Sequence, residues 1–122
     1  MMAKLGSDEL KRRLKRALGV AGNTHGPEDV ASAVSQGRMQ AWTNGDSLVV
    51  TEVLQYPRGS ALNVFLAVGN INEVMAMQPS IEAFGRQHGC KALRMEGRKG
   101  WSRVLPEFGW KADPKVIYER AL

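Results

Sequence analysis

Three carboxylates stand at or just beyond the ends of apolar runs, where a general base could act. Glu52 follows "SLVVT", Glu73 comes four residues after "ALNVFLAVG", and Glu96 follows "CKALRM". Such a carboxylate can take a proton from a substrate ammonium group while backbone N–H groups hold a developing oxyanion. Glu52 is the candidate catalytic residue. The alternative for each of the three is a surface or edge carboxylate without a catalytic role.

The cysteine and histidine content predicts neither a metal site nor a nucleophilic triad. Cys90 is the single cysteine, and His25 and His88 have no partner at metal-ligand spacing. Cys90 opens an apolar run that is expected to form a central strand, so burial as a small hydrophobic side chain is predicted. His88 precedes Gly89 and is expected to end a helix.

Length and composition predict one globular domain with a real core. The chain has 122 residues, of which 43% are hydrophobic and 24% charged. The longest apolar run falls short of the roughly 20 residues that cross a bilayer, and the N-terminus has no apolar signal segment. A single cysteine excludes an intrachain disulfide and fits a reducing compartment. A cytoplasmic protein without membrane contact is therefore predicted.

The positive charge is partly local. The formal net charge is +5, and five basic residues fall between Lys11 and Arg16, in "KRRLKR". One interpretation is a weak, nonspecific site for nucleic acid or an acidic partner, sensitive to salt. The other is a solvated helix face, which the absence of interleaved aromatic residues favours.

Apolar periodicity and turn residues predict elements in the order ααβββαβαβ, a mixed α/β or α+β domain. The predicted helices are Ser7–Leu18, Pro27 to about Gln36, Ser80–His88 and "GWSRVLPEF", which ends near Gly109; the predicted strands are "MQAWT", "SLVVTEVLQY", "ALNVFLAV", "CKALRM" and "VIYERAL". Turns at Asn44-Gly45-Asp46 and Pro57–Ser60 join the first three strands into an antiparallel meander. Residues 1–24 are assigned to a basic helix and linker, and residues 25–122 to the sheet domain.

Inside the helix Ser80–His88, the side chains of Ile81 and Phe84 are expected to point inward, with Ala83 as a further candidate.

The C-terminal half carries a family resemblance. A helix ending in "GRQHGCKALRM" leads into a strand, then a short helix and the glycine-aromatic pair in "FGW". This pattern resembles the GNAT superfamily of acyl-CoA-dependent N-acyltransferases. The resemblance implies an α/β (α+β) fold in which a mixed, mostly antiparallel sheet is flanked by helices. The stretch "EGRKGWSRVLPEFGW" is also similar to a group of small tailed-phage proteins with this fold.

The resemblance also implies a cofactor site, for acetyl-CoA or another acyl-CoA. In the family the sheet splays after the strand that matches "ALNVFLAV", and the pantetheine arm pairs with the backbone there. The matching positions are Ala67, Val68 and Gly69. The pyrophosphate is expected at the turn that follows, between Asn70 and Ser80, with Gln78 and Ser80 as donors. A bulky residue in place of Gly69 is expected to leave the fold intact and to abolish CoA binding.

The sequence departs from the family pattern at this turn and beyond it. No glycine lies between Asn70 and Ser80, Glu73 adds negative charge, and Pro79 lacks an N–H group. The alternative for this segment is a connecting helix with its methionines packed inward. Further on, Leu105 stands where the family commonly has an acid tyrosine, and Arg98 where it commonly has an asparagine.

Two functions remain open on these grounds. One is an acyl-CoA-dependent N-acyltransferase with an atypical cofactor turn. The other is a noncatalytic GNAT-fold component of a phage virion or of another protein assembly, with an unknown protein partner. Trp110 is expected to pack against the sheet. Trp101, among Arg94, Arg98, Lys99 and Arg103, fits either the same role or the anchor of a positively charged binding surface.

Overall fold

The computed structural model describes residues 12–15, 26–95, 105–111 and 120. Residues 12–15 are helical, and Leu14 among them is fully buried. The predicted helix Ser7–Leu18 is therefore described only in part. The predicted strand "VIYERAL" and the segment around Trp101 lie outside the described residues, as do Glu96 and His25.

Helix α1 spans Pro27–Ser35, as predicted. Pro27 occupies the first turn, where its missing N–H group costs nothing. The Gly26 N–H donates to Asp29 Oδ2 at 2.9 Å, which fixes the start of the helix. Gly37 follows the helix with φ 77°, a conformation that ends it.

Four strands form one mixed sheet in the order β1-β2-β3-β4. They are β1 Met39–Asn44, β2 Ser47–Tyr56, β3 Gly59–Val68 and β4 Cys90–Met95. β1, β2 and β3 are antiparallel neighbours, and β4 runs parallel to β3. The β1–β2 loop is Gly45-Asp46, and Gly45 has φ 58°, which suits the first position of a tight hairpin turn. The predicted meander and both of its turns are confirmed.

A β-bulge interrupts β3 near its end. Val50 pairs with Leu66 and Thr51 with Val64, so Phe65 is the extra residue of the bulge. A bulge bends the strand and raises its local twist. β4 pairs with β3 only from Ser60 to Val64. Beyond Val64, the side of β3 that faces away from β2 has no partner strand among the described residues.

Three helical segments follow in the second half. α2 spans Ile71–Ala76, α3 spans Gln78–Gln87, and a short 3-10 helix spans Leu105–Phe108. α3 begins two residues before the predicted Ser80. Ile81 is buried and Phe84 is half-buried, as expected, whereas Ala83 is exposed, so that expectation was wrong. The 3-10 helix ends at Gly109, which has φ 85°.

The sheet separates two apolar clusters. On one face, α1 and Leu14 cover residues of β1, β2 and β3, with Val30, Leu48 and Val50 at the centre. On the other face, α2 and α3 cover Trp42, Val49 and Leu62. Met75 and Met77 are buried in this second cluster, which confirms the packed-methionine alternative for this segment.

β4 is the last strand of the described sheet, not a central one, and Cys90 is half-buried. Because only part of its surface is covered, Cys90 packs at the margin of the second cluster. Within the described part of the chain, no helix has the length and apolarity that a membrane crossing requires.

Candidate functional site

The end of β3 approaches the start of β2 so closely that only glycine fits. Gly69 has φ 115°, a conformation that side chains disfavour. A Cβ atom there would lie 2.8 Å from the Ser47 Cα and 2.3 Å from its Oγ. The expectation that a bulky residue at Gly69 would leave the fold intact is therefore wrong, because both the backbone and Ser47 would have to move.

Asn70 caps the helix that follows this glycine. Its Oδ1 accepts hydrogen bonds from the N–H groups of Asn72, at 2.8 Å, and of Glu73, at 3.3 Å. Its backbone carbonyl accepts the N–H of Val74 at 3.0 Å. Two of the N–H groups in the first turn of α2, those of Asn72 and Glu73, are thus bonded to Asn70 and not open to an anion.

The β1–β2 hairpin holds the same helix through a buried serine. Ser47 is fully buried, and its hydroxyl donates to Glu73 Oε1 at 2.8 Å. The Ser47 hydroxyl oxygen also accepts a hydrogen bond from the backbone N–H of Asn70 at 3.0 Å. Asn44 adds a bond from its Nδ2 to the Glu73 carbonyl at 3.0 Å. We call Asn44, Ser47, Asn70 and Glu73 the turn lock.

The turn lock places a carboxylate at the predicted anion site. Glu73 is half-buried, and the space beside Gly45 is filled by its carboxylate, since a Cβ on Gly45 would lie 2.3 Å from Glu73 Oε2. A phosphate at this position would have to displace that carboxylate or share its space, and like charges repel. This turn does not fit a pyrophosphate group.

A small apolar cavity lies between β3, β4 and the helices. Its volume is about 20 Å³, and Ala67, Met75, Gln78 and Trp110 contribute to its walls. That volume is on the order of one water molecule. Gln78 closes one side, since its Oε1 accepts the Trp110 indole N–H at 2.8 Å and its Nε2 donates to Glu82 Oε1 at 3.1 Å. The predicted packing of Trp110 is confirmed, and its partner is the predicted cofactor donor Gln78.

The predicted site residues are only partly brought together. Ala67 and Gln78 line this cavity, while Ser80 is exposed on α3. Val68 packs on the opposite face of the sheet, against the cluster that α1 covers. The side chains of these positions thus divide between the two faces of the sheet, and the predicted pairing through the backbone of residues 67–69 stays a prediction.

The candidate base Glu52 lies apart from them. It stands opposite Met39 and Asn63, and its Oε1 accepts a hydrogen bond from Asn63 Nδ2 at 3.1 Å. Its Cα is roughly 13 Å along β2 from Leu48, the partner of Val68, at the usual rise of a strand. Glu52 also shares the face of Met39, which is the α1 face.

Sequence reasoning missed Ser47 and the role of Asn70. The pattern Asn70-x-x-Glu73 is a capping signal that could have predicted the start of α2. No local signal could have identified Ser47, because its partners are 23 and 26 positions away along the chain.

Cys90 and His88 make packing and helix-terminal contacts. Burial raises the pKa of the Cys90 thiol, which disfavours the reactive thiolate. His88 follows α3, its Nδ1 donates to the Phe84 carbonyl at 2.9 Å, and its ring stacks on Phe84 with centroids 4.1 Å apart. The prediction that His88 ends the helix is confirmed. Within the described residues, no group of three or more metal-ligating side chains occurs.

Known proteins resemble this chain in structure and not in sequence. No protein-family model and no curated protein matches the sequence. A GCN5-related N-acetyltransferase from Ralstonia eutropha JMP134 superposes with a TM-score of 0.67 and 11% identity, over 93% of this chain and 92% of that one. Glucosamine-6-phosphate N-acetyltransferase from Arabidopsis thaliana gives 0.70 and 10% identity, over 98% and 97%. An acetyltransferase from Trypanosoma brucei gives 0.70 and 9%, over 99% of both chains.

These likenesses extend over nearly the whole of each chain, and at 9–11% identity they show the fold alone. The chain has a GNAT-like fold, as the resemblance implied. The similarity to small tailed-phage proteins stays a prediction.

Proposed function

We propose that this chain, which has the GNAT-like fold, is a noncatalytic binding component in which the cofactor turn has become a structural contact. The observation that carries the proposal is the turn lock. Glu73 accepts a hydrogen bond from the buried Ser47 hydroxyl, and Asn70 occupies the N–H groups of Asn72 and Glu73. A component of a phage virion, the setting predicted from the stretch "EGRKGWSRVLPEFGW", is one case that this proposal includes.

The chemistry of the turn supports this assignment. A pyrophosphate needs several free N–H donors, a positive local potential and close backbone approach. Here those donors are bonded to Asn70, the local charge is the carboxylate of Glu73, and Pro79 contributes no N–H further on. A chain that kept a working anion site would leave these N–H groups open.

The cavity beside the turn supports the same assignment. The cavity between Ala67, Met75 and Trp110 is partly open to solvent, and its inner space of about 20 Å³ would take only a small part of a pantetheine arm. A deeper position would require side chains of the second apolar cluster, Trp110 among them, to move. Moving them carries a free-energy cost.

The second candidate is an acyl-CoA-dependent N-acyltransferase, and the backbone of residues 67–69 favours it, because on the side away from β2 it has no partner strand among the described residues. The bulge at Phe65 turns this stretch of backbone, and bulges are common beside active sites. Ala67, Val68 and Gly69 would pair with the pantetheine amides there. Bound acyl-CoA would supply the activated acyl group, and Glu52 is the candidate for holding the amine proton.

Calorimetric titration with acetyl-CoA and with free CoA, at low and at moderate salt, separates the two candidates. For the noncatalytic component we expect no binding tighter than about 1 mM. Two matched variants sharpen the experiment. Glu73→Gln removes the charge at the turn, and Glu28→Gln removes an exposed carboxylate on α1, away from the turn.

Micromolar binding that survives moderate salt would overturn the noncatalytic proposal. An acyltransferase with a working turn would then bind several-fold more tightly after Glu73→Gln than after Glu28→Gln, because Glu73 lies at the predicted pyrophosphate position and Glu28 does not. Weak binding that disappears with salt, with both variants alike, is the result expected of a fold that has lost its cofactor.

A further inference from the structure

The tip of the β2–β3 hairpin and the adjacent strand β4 form an exposed, positively charged surface around a tyrosine. Tyr56 is 44% exposed at the end of β2. Arg58 lies in the hairpin loop, and Lys91 and Arg94 lie on β4; all three are exposed. We call these four residues the hairpin patch.

Arg94 is held close to the ring, and Lys91 is held at the hairpin loop. The Arg94 guanidinium donates to the Tyr56 hydroxyl, and its Cζ lies 5.8 Å from the ring centroid, a cation–π arrangement. Lys91 reaches the hairpin loop, where its Nζ donates to the Arg58 carbonyl at 3.1 Å. Gly59 makes room for this side chain, since a Cβ there would lie 3.1 Å from Lys91 Cδ.

No carboxylate of the described residues pairs with these cations. The ion pair in this part of the described structure joins Glu82 and Arg86 on α3, at 3.7 Å. Lys91 and Arg94 use a carbonyl and a hydroxyl as acceptors, both neutral groups, and neither cation forms an ion pair within the described residues. The patch therefore attracts an anionic partner, on a chain whose net charge is already +5.

We propose that the hairpin patch binds single-stranded nucleic acid. An unpaired base stacks on the face of Tyr56 that Arg94 does not cover, and the flanking phosphates contact Arg58 and Lys91. Stacking platforms beside positive charge are the usual means of binding single strands without sequence preference. A duplex offers no free base, and a peptide of glutamate alone offers no ring to stack. The patch has the aromatic residue that the basic segment Lys11–Arg16 lacks. This proposal does not depend on whether acyl-CoA binds elsewhere on the protein.

Fluorescence anisotropy with a labelled oligothymidylate of about 15 nucleotides tests this proposal, because single-strand sites of this kind span up to about 16 nucleotides. Tyr56→Leu should weaken binding about tenfold through lost stacking. Tyr56→Phe keeps the ring and should bind within about twofold of the original protein, since stacking needs no hydroxyl. Lys91→Gln should weaken binding and flatten the salt dependence by about one phosphate contact.

The control is Arg38→Gln, an exposed arginine after α1 whose side chain bonds to Gln36. It changes the net charge as Lys91→Gln does and should leave the affinity nearly unchanged. Unchanged binding by Tyr56→Leu overturns the proposal, as does equal binding of a duplex or of polyglutamate. A loss confined to Arg12→Gln and Lys15→Gln would overturn it too, and would move the site to the N-terminal helix.

Discussion

Gly69 shows how one residue decides whether the end of β3 can form. Its φ of 115° and the 2.8 Å approach of a Cβ to the Ser47 Cα leave no room for a side chain. The same glycine lets Asn70 reach Ser47 and cap α2. Gly69, which the family resemblance assigns to a cofactor site, is thus also required by the backbone geometry at the end of β3.

Gly69→Ala should lower the free energy of unfolding by roughly 3 kcal/mol, through backbone strain and overpacking. Gly89→Ala is the matched control. Gly89 also has positive φ, at 74°, and a Cβ there meets nothing within 4 Å, so strain alone should cost about 1 kcal/mol. Urea denaturation of both variants measures the difference. Equal losses would mean that contact with Ser47 is unimportant.

Cys90 should make stability depend on pH in the alkaline range. Burial raises the pKa of its thiol above the ordinary value of 9.0, so the folded state favours the protonated form. The contribution is fully present below the unfolded pKa and is lost as pH rises through the folded pKa. Between about pH 8 and pH 10, the protein should lose more stability than Cys90→Ala does. Parallel curves for the two proteins in urea titrations would contradict this.

At the scale of elements, the turn lock joins the β1–β2 hairpin to α2. Glu73 closes a capping pattern with Asn70 and at the same time bonds to Ser47, so helix, strand end and hairpin fix one another. α2 has only six residues and would be marginal without such contacts. The segment that was predicted to bind pyrophosphate thus connects elements of the fold through these hydrogen bonds.

Ser47→Ala should lower the free energy of unfolding by about 2 kcal/mol, because it leaves the Glu73 carboxylate and the Asn70 N–H without their partner. Ser60→Ala is the control. Its hydroxyl donates to Gln55 at 2.7 Å in an exposed setting, where loss of the bond should cost no more than about 0.5 kcal/mol.

A double-mutant cycle completes the test. If the two side chains act as one unit, Ser47→Ala combined with Glu73→Gln should cost less than the sum of the single changes. Strict additivity would mean that the bond between them contributes little.

For the whole molecule, the sheet couples two apolar clusters. Leu48 belongs to the cluster under α1 and Leu62 to the cluster under α2 and α3, and both are almost fully buried. β2 and β3 contribute to both clusters, so neither face can unfold while the other stays intact.

Leu48→Ala and Leu62→Ala should each lower stability by about 3 kcal/mol and keep a single unfolding transition. Leu54→Ala, at a half-buried site on β2, should cost about 1 kcal/mol. Far-UV circular dichroism and tryptophan fluorescence should report the same midpoint for each variant. Separated midpoints would show that the two faces unfold independently.

Local patterns in the chain were enough to predict most of the fold. Proline at the start of α1, Gly45 and Pro57 in the two turns, and the apolar runs of β1 to β4 each reflect a backbone preference that acts over a few residues. Gly109 ends the last helical turn for the same reason. Ala83 and Cys90 were assigned deeper positions than they occupy, because burial depends on what packs against an element and not on its own sequence.

The sequence by itself determined the order of elements, the meander, the resemblance to the GNAT fold and the lack of glycines in the predicted phosphate turn. Only the tertiary structure decided which residues that turn contacts. Ser47 meets Glu73 and Asn70, and Trp110 meets Gln78, across 23 to 32 positions of chain. The hairpin patch likewise joins Tyr56 to Arg94, 38 positions apart. Such contacts depend on strand register and helix packing, which local preferences do not encode.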